Sequence, residues 1–210
     1  MSDLEFFFDP VCPWAWITSR WVHEVAAERD MHIHWRFLSL HVLNEGNDYA
    51  EFPPNHLEEH TTGLKLLRVA ASVRETEGAG AMQDLYTTFG TDLHVKGRSE
   101  ELWSELNEGL PRYLDEIAVG ARHAAAANDP GWDDVIRAET AEALQRAGPD
   151  LGTPVVTLDP PYGPSFFGPV ISRIPRGAEA LESWDAFEVL ARTPGMAEIK
   201  RSLRDRPEFT

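Results

Sequence analysis

The amino-acid sequence predicts an α/β protein in which a long all-helical block interrupts a domain of strands and helices. The first forty residues follow a strand–helix–strand pattern. From about residue 55 to residue 147 the apolar residues recur only at helical spacing, and two short strands and a helix follow. We therefore expect one domain formed by residues 1–44 and 149–210, and a helical insertion domain over residues 45–148.

The first half of the mixed domain is the most sharply patterned part of the chain. Residues 4–8 form a short apolar run that ends at Asp9-Pro10, which is typical of a buried strand. Residues 13–29 carry apolar side chains at helical spacing, with Pro13 suited to the first turn. Residues 32–38 alternate polar and apolar side chains and predict a second strand.

The remaining elements are predicted by periodicity and by chain breaks. Residues 45–54 are polar and contain proline and glycine, which predicts a loop. The helical block that follows includes Leu102 and Leu106 and is broken near 109–111 and 128–131. Strands are expected at 155–158 and 165–170 with a proline-rich loop between them. A helix over 179–191 closes the domain, and a second one is expected over 194–203.

Composition excludes several classes of function. Nineteen basic and 35 acidic residues give a net charge of −16, and no basic cluster stands out, so neither nucleic acid nor an anionic membrane surface is an expected partner. No apolar run is long enough to span a bilayer, and the first residues do not form a signal peptide. We expect a cytoplasmic protein.

Cys12 is the only cysteine, and it follows the first strand at the start of the first helix. Exposed amide groups and the positive end of the helix dipole stabilise an anion at that position. A thiolate there has a lowered pKa and reacts readily, so we expect a solvent-accessible, reactive Cys12. The alternative is a buried structural cysteine that packs as a small apolar side chain.

A second motif, Gly152-Thr153-Pro154, enters the third strand. A proline at the start of a strand is tolerated in either peptide isomer. Taken alone, this motif indicates an ordinary trans proline. It becomes informative about function only in combination with the Cys12 motif.

Together these motifs resemble the DsbA-like branch of the thioredoxin fold, in which a helical domain is inserted and a cis-proline faces the active thiol. The chain also resembles the actinobacterial mycothiol-dependent nitroreductase group, and this similarity extends over nearly the whole chain. It is carried by 7–14, 17–21, Ser39-Leu40, 43–45, 152–154 and 166–170.

The resemblance implies a thiol-dependent oxidoreductase in which Cys12 forms a mixed disulfide with mycothiol or another low-molecular-weight thiol. The expected partners are that thiol, a small electrophilic substrate and a glutaredoxin-like reductase; no metal and no nucleotide cofactor is expected. The resemblance also implies a cis Thr153–Pro154 bond. The thiol-binding or substrate-binding residues implied are Pro13, Trp14, Ala15, Asn44, His94, Thr153 and Pro154.

One position departs from the dithiol pattern, because Ala15 stands where a second cysteine would follow Cys12 by three residues. Such a pair lies one helical turn apart, and the second thiol resolves a disulfide formed on the first. Ala15 cannot do this. Two alternatives therefore stay open: a thiol-dependent isomerase of the hydroxychromene-carboxylate isomerase type, and a non-catalytic thioredoxin-like binding module.

Histidine pairs and a glycine-rich segment offer weaker signals. His56-Leu57-Glu58-Glu59-His60 matches the H-x-x-E-H zinc-protease pattern, but a helix rich in Glu and His produces this pattern by chance. His32 and His34 share one face of a strand without a third ligand. Residues 78–83 lack the last glycine of a dinucleotide-binding turn. We expect no stoichiometric zinc.

Overall fold

The structure, a computed structural model, describes residues 3–98 and 109–210. Strand β1 (Leu4–Phe8), helix α1 (Pro13–Arg29) and strand β2 (Ile33–Phe37) confirm the predicted strand–helix–strand start. Helix α1 ends where Asp30 takes a left-handed conformation and its N–H bonds back to the Ala26 carbonyl. The expected helical positions Leu102 and Leu106 lie outside the described residues.

The predicted helical block is helical in its described part, and it is divided into short pieces. Helix α2 (Leu40–Leu43) precedes the block, and the α-helices described within it are α3 (His56–Glu77), α4 (Met82–Gly90), α5 (Leu110–Glu116) and α6 (Asp133–Ala147). A π-helical turn, Thr91–Val95, extends α4. Short 3-10 helices occupy Tyr49–Glu51, Ala79–Ala81, Ala121–Asn128 and Pro130–Trp132. The predicted loop over 45–54 therefore contains a helical turn.

The C-terminal part contains strands β3 (Val155–Leu158) and β4 (Ser165–Phe167) and helix α7 (Gly177–Ala191). Strand β4 is shorter than predicted because Gly168 has a φ of 93° and Pro169 has no N–H for a ladder. The helix expected over 194–203 is wrong. Ile199 and Leu203 are 74% and 79% exposed, so the segment buries no apolar face that would stabilise a helix.

Within the described residues the four strands form one sheet in the order β2-β1-β3-β4. Strand β1 pairs antiparallel with β3, with Leu4 opposite Leu158 and Phe6 opposite Val156. Strand β4 pairs antiparallel with β3. The two central strands are buried along their whole length, whereas the edge strands are only partly covered. This difference matches their sequences, since β1 and β3 are the more continuously apolar strands.

Contacts divide the chain into two compact units. The sheet unit comprises Met1–Phe8, Cys12–Arg36 and Ala143–Thr210, and the helical unit comprises Asp9–Val11 and Phe37–Glu142. These boundaries differ from the division expected at 44/45 and 148/149. Residues 37–39 belong to the helical unit because the Phe37 and Ser39 N–H groups donate to Glu139 and Thr140 of α6.

The core of the sheet unit joins α1 to α7 through tryptophan. The Trp21 indole N–H donates to the Ala180 carbonyl at 2.9 Å, and its ring lies 5.5 Å from the Trp184 ring. Trp16 and Trp21 are both buried. Along the described ranges, no helix is both long and apolar enough to cross a membrane.

Candidate active site

Cys12 is the N-cap residue of α1 in the sheet unit. Its backbone is extended (φ −77°, ψ 114°), its carbonyl accepts the first helical bond from Trp16, and Pro13 begins the helix. Its sulfur accepts a long hydrogen bond of 3.5 Å from the Ala15 N–H. The helix start therefore directs an amide donor at the sulfur, as the sequence predicts, and such a donor favours the thiolate.

The start of β3 faces the same sulfur. The Thr153–Pro154 bond is cis, and the Cys12 thiol donates to the Thr153 carbonyl at 3.4 Å. The Thr153 hydroxyl donates to the Phe7 carbonyl at 3.3 Å, which ties the residue to the end of β1. The structure thus brings together Cys12 and the Thr153-Pro154 motif across 141 residues of sequence.

The expectation of a solvent-accessible Cys12 is wrong for this structure. The residue is only 5% exposed, and Thr153 is 3% exposed. The sulfur is enclosed because it lies between the first turn of α1 and the Thr153 carbonyl. The hydrogen-bond partners of the buried sulfur are a helix-start amide and the Thr153 carbonyl.

Trp14 and Ala15 occupy different surroundings on the first turn of α1. Ala15 is fully buried, at the position from which a second thiol would face Cys12. Trp14 is partly exposed, and the Arg204 guanidinium lies 5.7 Å from the centre of its ring. Of the two, Trp14 has the surface that a bound small molecule could contact.

Asn44 and His94, placed in the site by resemblance, both belong to the helical unit. The Asn44 side-chain amide donates to the Leu40 carbonyl at 2.8 Å. His94 donates from Nε2 to the Pro10 carbonyl at 2.9 Å, since a carbonyl can only accept. Burial lowers the pKa of His94 to about 4, so its ring is neutral at physiological pH. A role for either residue in thiol binding stays a prediction.

Sequence reasoning assigned no role to Asp9, which the structure shows to be a fully buried carboxyl. Burial raises its pKa to about 7, although hydrogen bonds from the Leu40 and Val11 N–H groups act in the opposite direction. The available signal was an acidic residue at the end of an apolar run, where an unpaired charge is costly. Thr18 was also missed; its hydroxyl donates to the Pro169 carbonyl at 2.7 Å.

The histidine pairs have partners of their own. His60 lies 3.0 Å from the Tyr49 hydroxyl through Nδ1, and burial lowers its pKa to about 4. His56 lies 3.6 Å from Glu59, and His34 lies 3.3 Å from Glu5. In residues 3–98 and 109–210 no three His, Cys, Asp or Glu side chains are grouped as a metal site.

Two sequence comparisons show which known proteins this chain is similar to. Residues 11–201 match the model of the Rv2466c-like family, described as mycothiol-dependent nitroreductase Rv2466c. The chain is 30% identical over 204 residues to the uncharacterized protein Rv2286c of Mycobacterium tuberculosis, covering 96% of this chain and 82% of that protein.

Among solved structures, the chain is similar to a probable DsbA oxidoreductase, SCO1869 from Streptomyces coelicolor. The TM-score is 0.55 at 19% identity, and 91% of each chain is covered. This likeness confirms the predicted DsbA-like thioredoxin fold, and the family match confirms the resemblance found in the motifs. The chain therefore belongs to the Rv2466c-like family of mycothiol-dependent nitroreductases, a family of thiol oxidoreductases.

Proposed function

We propose that this protein is a cytoplasmic reductase of small electrophiles that uses Cys12 and a low-molecular-weight thiol, with mycothiol as the thiol that the family indicates. The observation that carries the proposal is the position of the Cys12 sulfur. It accepts from the Ala15 N–H and lies 3.4 Å from the carbonyl before cis-Pro154. Family membership supports the choice of thiol.

The proposed cycle balances with two small thiols. The Cys12 thiol and one small thiol give up two electrons and two protons to the acceptor, and a disulfide forms between them. A nitro group that accepts these becomes a nitroso group and releases water. A second small thiolate then attacks the mixed disulfide, which frees Cys12 and releases the oxidised small thiol as a disulfide. A glutaredoxin-like reductase could supply the second thiol equally well.

Ala15 makes the small thiol obligatory in this scheme. No other cysteine exists in the chain, so only an external thiolate can break the mixed disulfide. The same feature favours one second candidate, a thiol-dependent isomerase, because redox-neutral chemistry needs no resolving thiol. The two candidates differ in whether electrons reach the substrate.

The first experiment measures adduct formation. The protein is incubated with the symmetrical disulfide of mycothiol, and its intact mass is determined. We expect one thiol per chain in the wild-type protein and none in Cys12→Ser. An unmodified wild-type protein would overturn the role of Cys12 and favour the binding module.

The second experiment measures electron transfer. A nitroaromatic compound and reduced mycothiol are incubated with the enzyme. The amount of mycothiol oxidised and the amount of nitro compound consumed are measured in the same sample. We expect two thiols oxidised per nitro group converted to the nitroso product, and no conversion by Cys12→Ser. Turnover of a substrate isomer without thiol oxidation would instead support the isomerase.

A further inference from the structure

The segment immediately before Cys12 is held by the helical unit. Asp9 Oδ2 accepts from the Leu40 N–H at 2.8 Å, and Oδ1 accepts from the Val11 N–H at 3.1 Å. The carboxyl is fully buried. Each oxygen thus has a backbone donor, which satisfies the buried group and fixes the turn that it belongs to.

Helix α3 approaches this carboxyl at a glycine. A Cβ atom on Gly63 would lie 2.4 Å from Asp9 Oδ1 and 3.0 Å from a methyl of Val11. The first distance is impossible without movement of the carboxyl or the helix. Gly63 therefore lets α3 pack directly against the Asp9–Val11 turn.

The π-helical turn after α4 is the third element of the helical unit that contacts the Asp9–Val11 turn. His94 Nε2 donates to the Pro10 carbonyl at 2.9 Å. Asp9, Pro10 and Val11 are consequently held by side-chain, backbone and packing contacts from three elements of the helical unit, and Val11 is bonded to Cys12.

We propose that Asp9 is a positioning residue for Cys12, acting through the backbone of the Asp9–Val11 turn. The inference rests on the proposed role of Cys12. Its physical basis is that an N-cap sulfur meets the helix-start amides only in an extended backbone conformation, which Cys12 has. The preceding peptide sets the direction in which the chain enters that conformation.

Among residues 3–98 and 109–210, no cationic side chain lowers the pKa of Asp9. The Tyr49 hydroxyl interacts with the charge of Asp9. Burial is the main cause that raises the pKa of Tyr49, and the negative charge of Asp9 is the second. Burial lowers the pKa of His41 on α2, of His60 on α3 and of His94 on the π turn, so they are neutral at pH 7. Lys65 follows Gly63 by two residues on α3, a separation of about 200° around the helix axis.

Asp9 consequently changes charge near neutrality, where burial has raised its pKa to about 7. If Asp9 positions Cys12, gain or loss of this proton alters the turn. The alkylation rate of Cys12 should then show two inflections with pH, one from the thiol and one near pH 7 from Asp9. Comparison with a variant that lacks the carboxyl assigns the inflection near pH 7 to Asp9 and distinguishes it from that of the thiol.

The decisive variant is Asp9→Asn, whose amide has a similar shape but does not titrate and offers a single acceptor oxygen. Iodoacetamide alkylation of Cys12 is followed by mass spectrometry between pH 5 and pH 9. We expect Asp9→Asn to lose the inflection near pH 7 and to keep that of the thiol. A profile identical to that of the wild type would overturn the proposal.

Glycine variants provide a matched comparison that leaves Asp9 in place. Gly63→Ala should slow alkylation about tenfold by displacing the turn. Gly80→Ala should keep the wild-type rate, since its added methyl group has no neighbour within 4 Å. Equal rates in both variants would count against the proposal. A wild-type Cys12 that resists every alkylating reagent would instead refute the proposed function.

Discussion

At the scale of single residues, the chemistry depends on which groups meet the Cys12 sulfur. An amide of the first helical turn donates to it, and the Thr153 carbonyl accepts from its thiol. The first contact favours the thiolate and the second favours the thiol. Removal of the proton therefore ends the hydrogen bond to the Thr153 carbonyl and leaves the Ala15 N–H as the donor to the thiolate.

The absence of a resolving thiol can be reversed by one substitution. Ala15→Cys should place a sulfur one helical turn from Cys12, because the Ala15 N–H already lies 3.5 Å from the Cys12 sulfur. After treatment with the oxidised small thiol, we expect this variant to release the thiol and form an internal disulfide. Mass spectrometry should show a loss of two hydrogens.

Ala15→Ser is the control for this experiment, since its hydroxyl cannot form a disulfide and it should keep the small-thiol adduct. Persistence of the adduct in Ala15→Cys would show that the two side chains do not reach each other.

The buried Asp9 carboxyl should make stability depend on pH. Its pKa is about 7 in the folded protein, whereas the unfolded chain releases the proton near pH 4. The folded state thus binds more protons between these values, and stability falls as pH rises from about 4 to about 7. The loss approaches about 4 kcal/mol as an upper limit.

Urea unfolding of the wild type and of Asp9→Asn at several pH values isolates this effect. The free energy of unfolding of the wild type should fall relative to that of the variant as pH rises through this interval. Above pH 8 the difference between the two proteins should stay constant. A constant difference between the two proteins across the interval would contradict the shifted pKa.

At the scale of helices and strands, the helical unit is tied together by an ion pair that sequence patterns do not reveal. Arg68 on α3 donates from two nitrogens to Asp133 at the start of α6, at 2.6 and 2.8 Å. It also donates to the Ala127 carbonyl at 3.1 Å. Both charged side chains are about 15% exposed, so this forked pair is largely removed from water.

Asp133→Asn should destabilise the protein by about 2–3 kcal/mol, because it leaves the Arg68 charge partly buried without its partner. The hydrogen bond from Arg68 lowers the pKa of Asp133, so the contribution is present above the unfolded pKa and is lost as pH falls. The measurement is the free energy of unfolding in urea at pH 7.

Glu45→Gln is the matched control in the same unit. Its partner is Arg137, and both side chains are 42% exposed, so water and salt screen the pair. We expect a loss below about 1 kcal/mol. Equal losses in the two variants would show that burial does not distinguish these ion pairs.

At the scale of the whole molecule, the net charge of −16 is the dominant electrostatic property. Self-repulsion among 35 acidic groups destabilises the folded chain, and dissolved ions screen it. We expect the melting temperature to rise by a few degrees between about 10 and 200 mM sodium chloride. A fall over this range would indicate that attractive ion pairs outweigh the net repulsion.

Much of the fold could be predicted from local sequence, because the spacing of apolar residues determines where helices and strands form. The spacing of Trp14, Ile17, Trp21 and Val25 predicts α1, and the apolar runs at 4–8 and 155–158 predict the two central strands. The Cys12 and Thr153-Pro154 motifs carry the resemblance to the family, which the family match confirms. The short helix Leu40–Leu43 and the length of β4 escaped prediction, since single turns and edge strands carry few periodic residues.

The sequence by itself determined the element order, the family and the lone thiol at a helix start. The tertiary structure alone decided that Cys12 is buried, that its sulfur meets the Thr153 carbonyl, and that Asp9 is enclosed against Gly63. The physical reason is the separation along the sequence between the residues that interact. Helix and strand patterns arise from neighbours within a few residues, whereas burial and the partners of these polar atoms depend on residues 31 to 141 positions away in the chain.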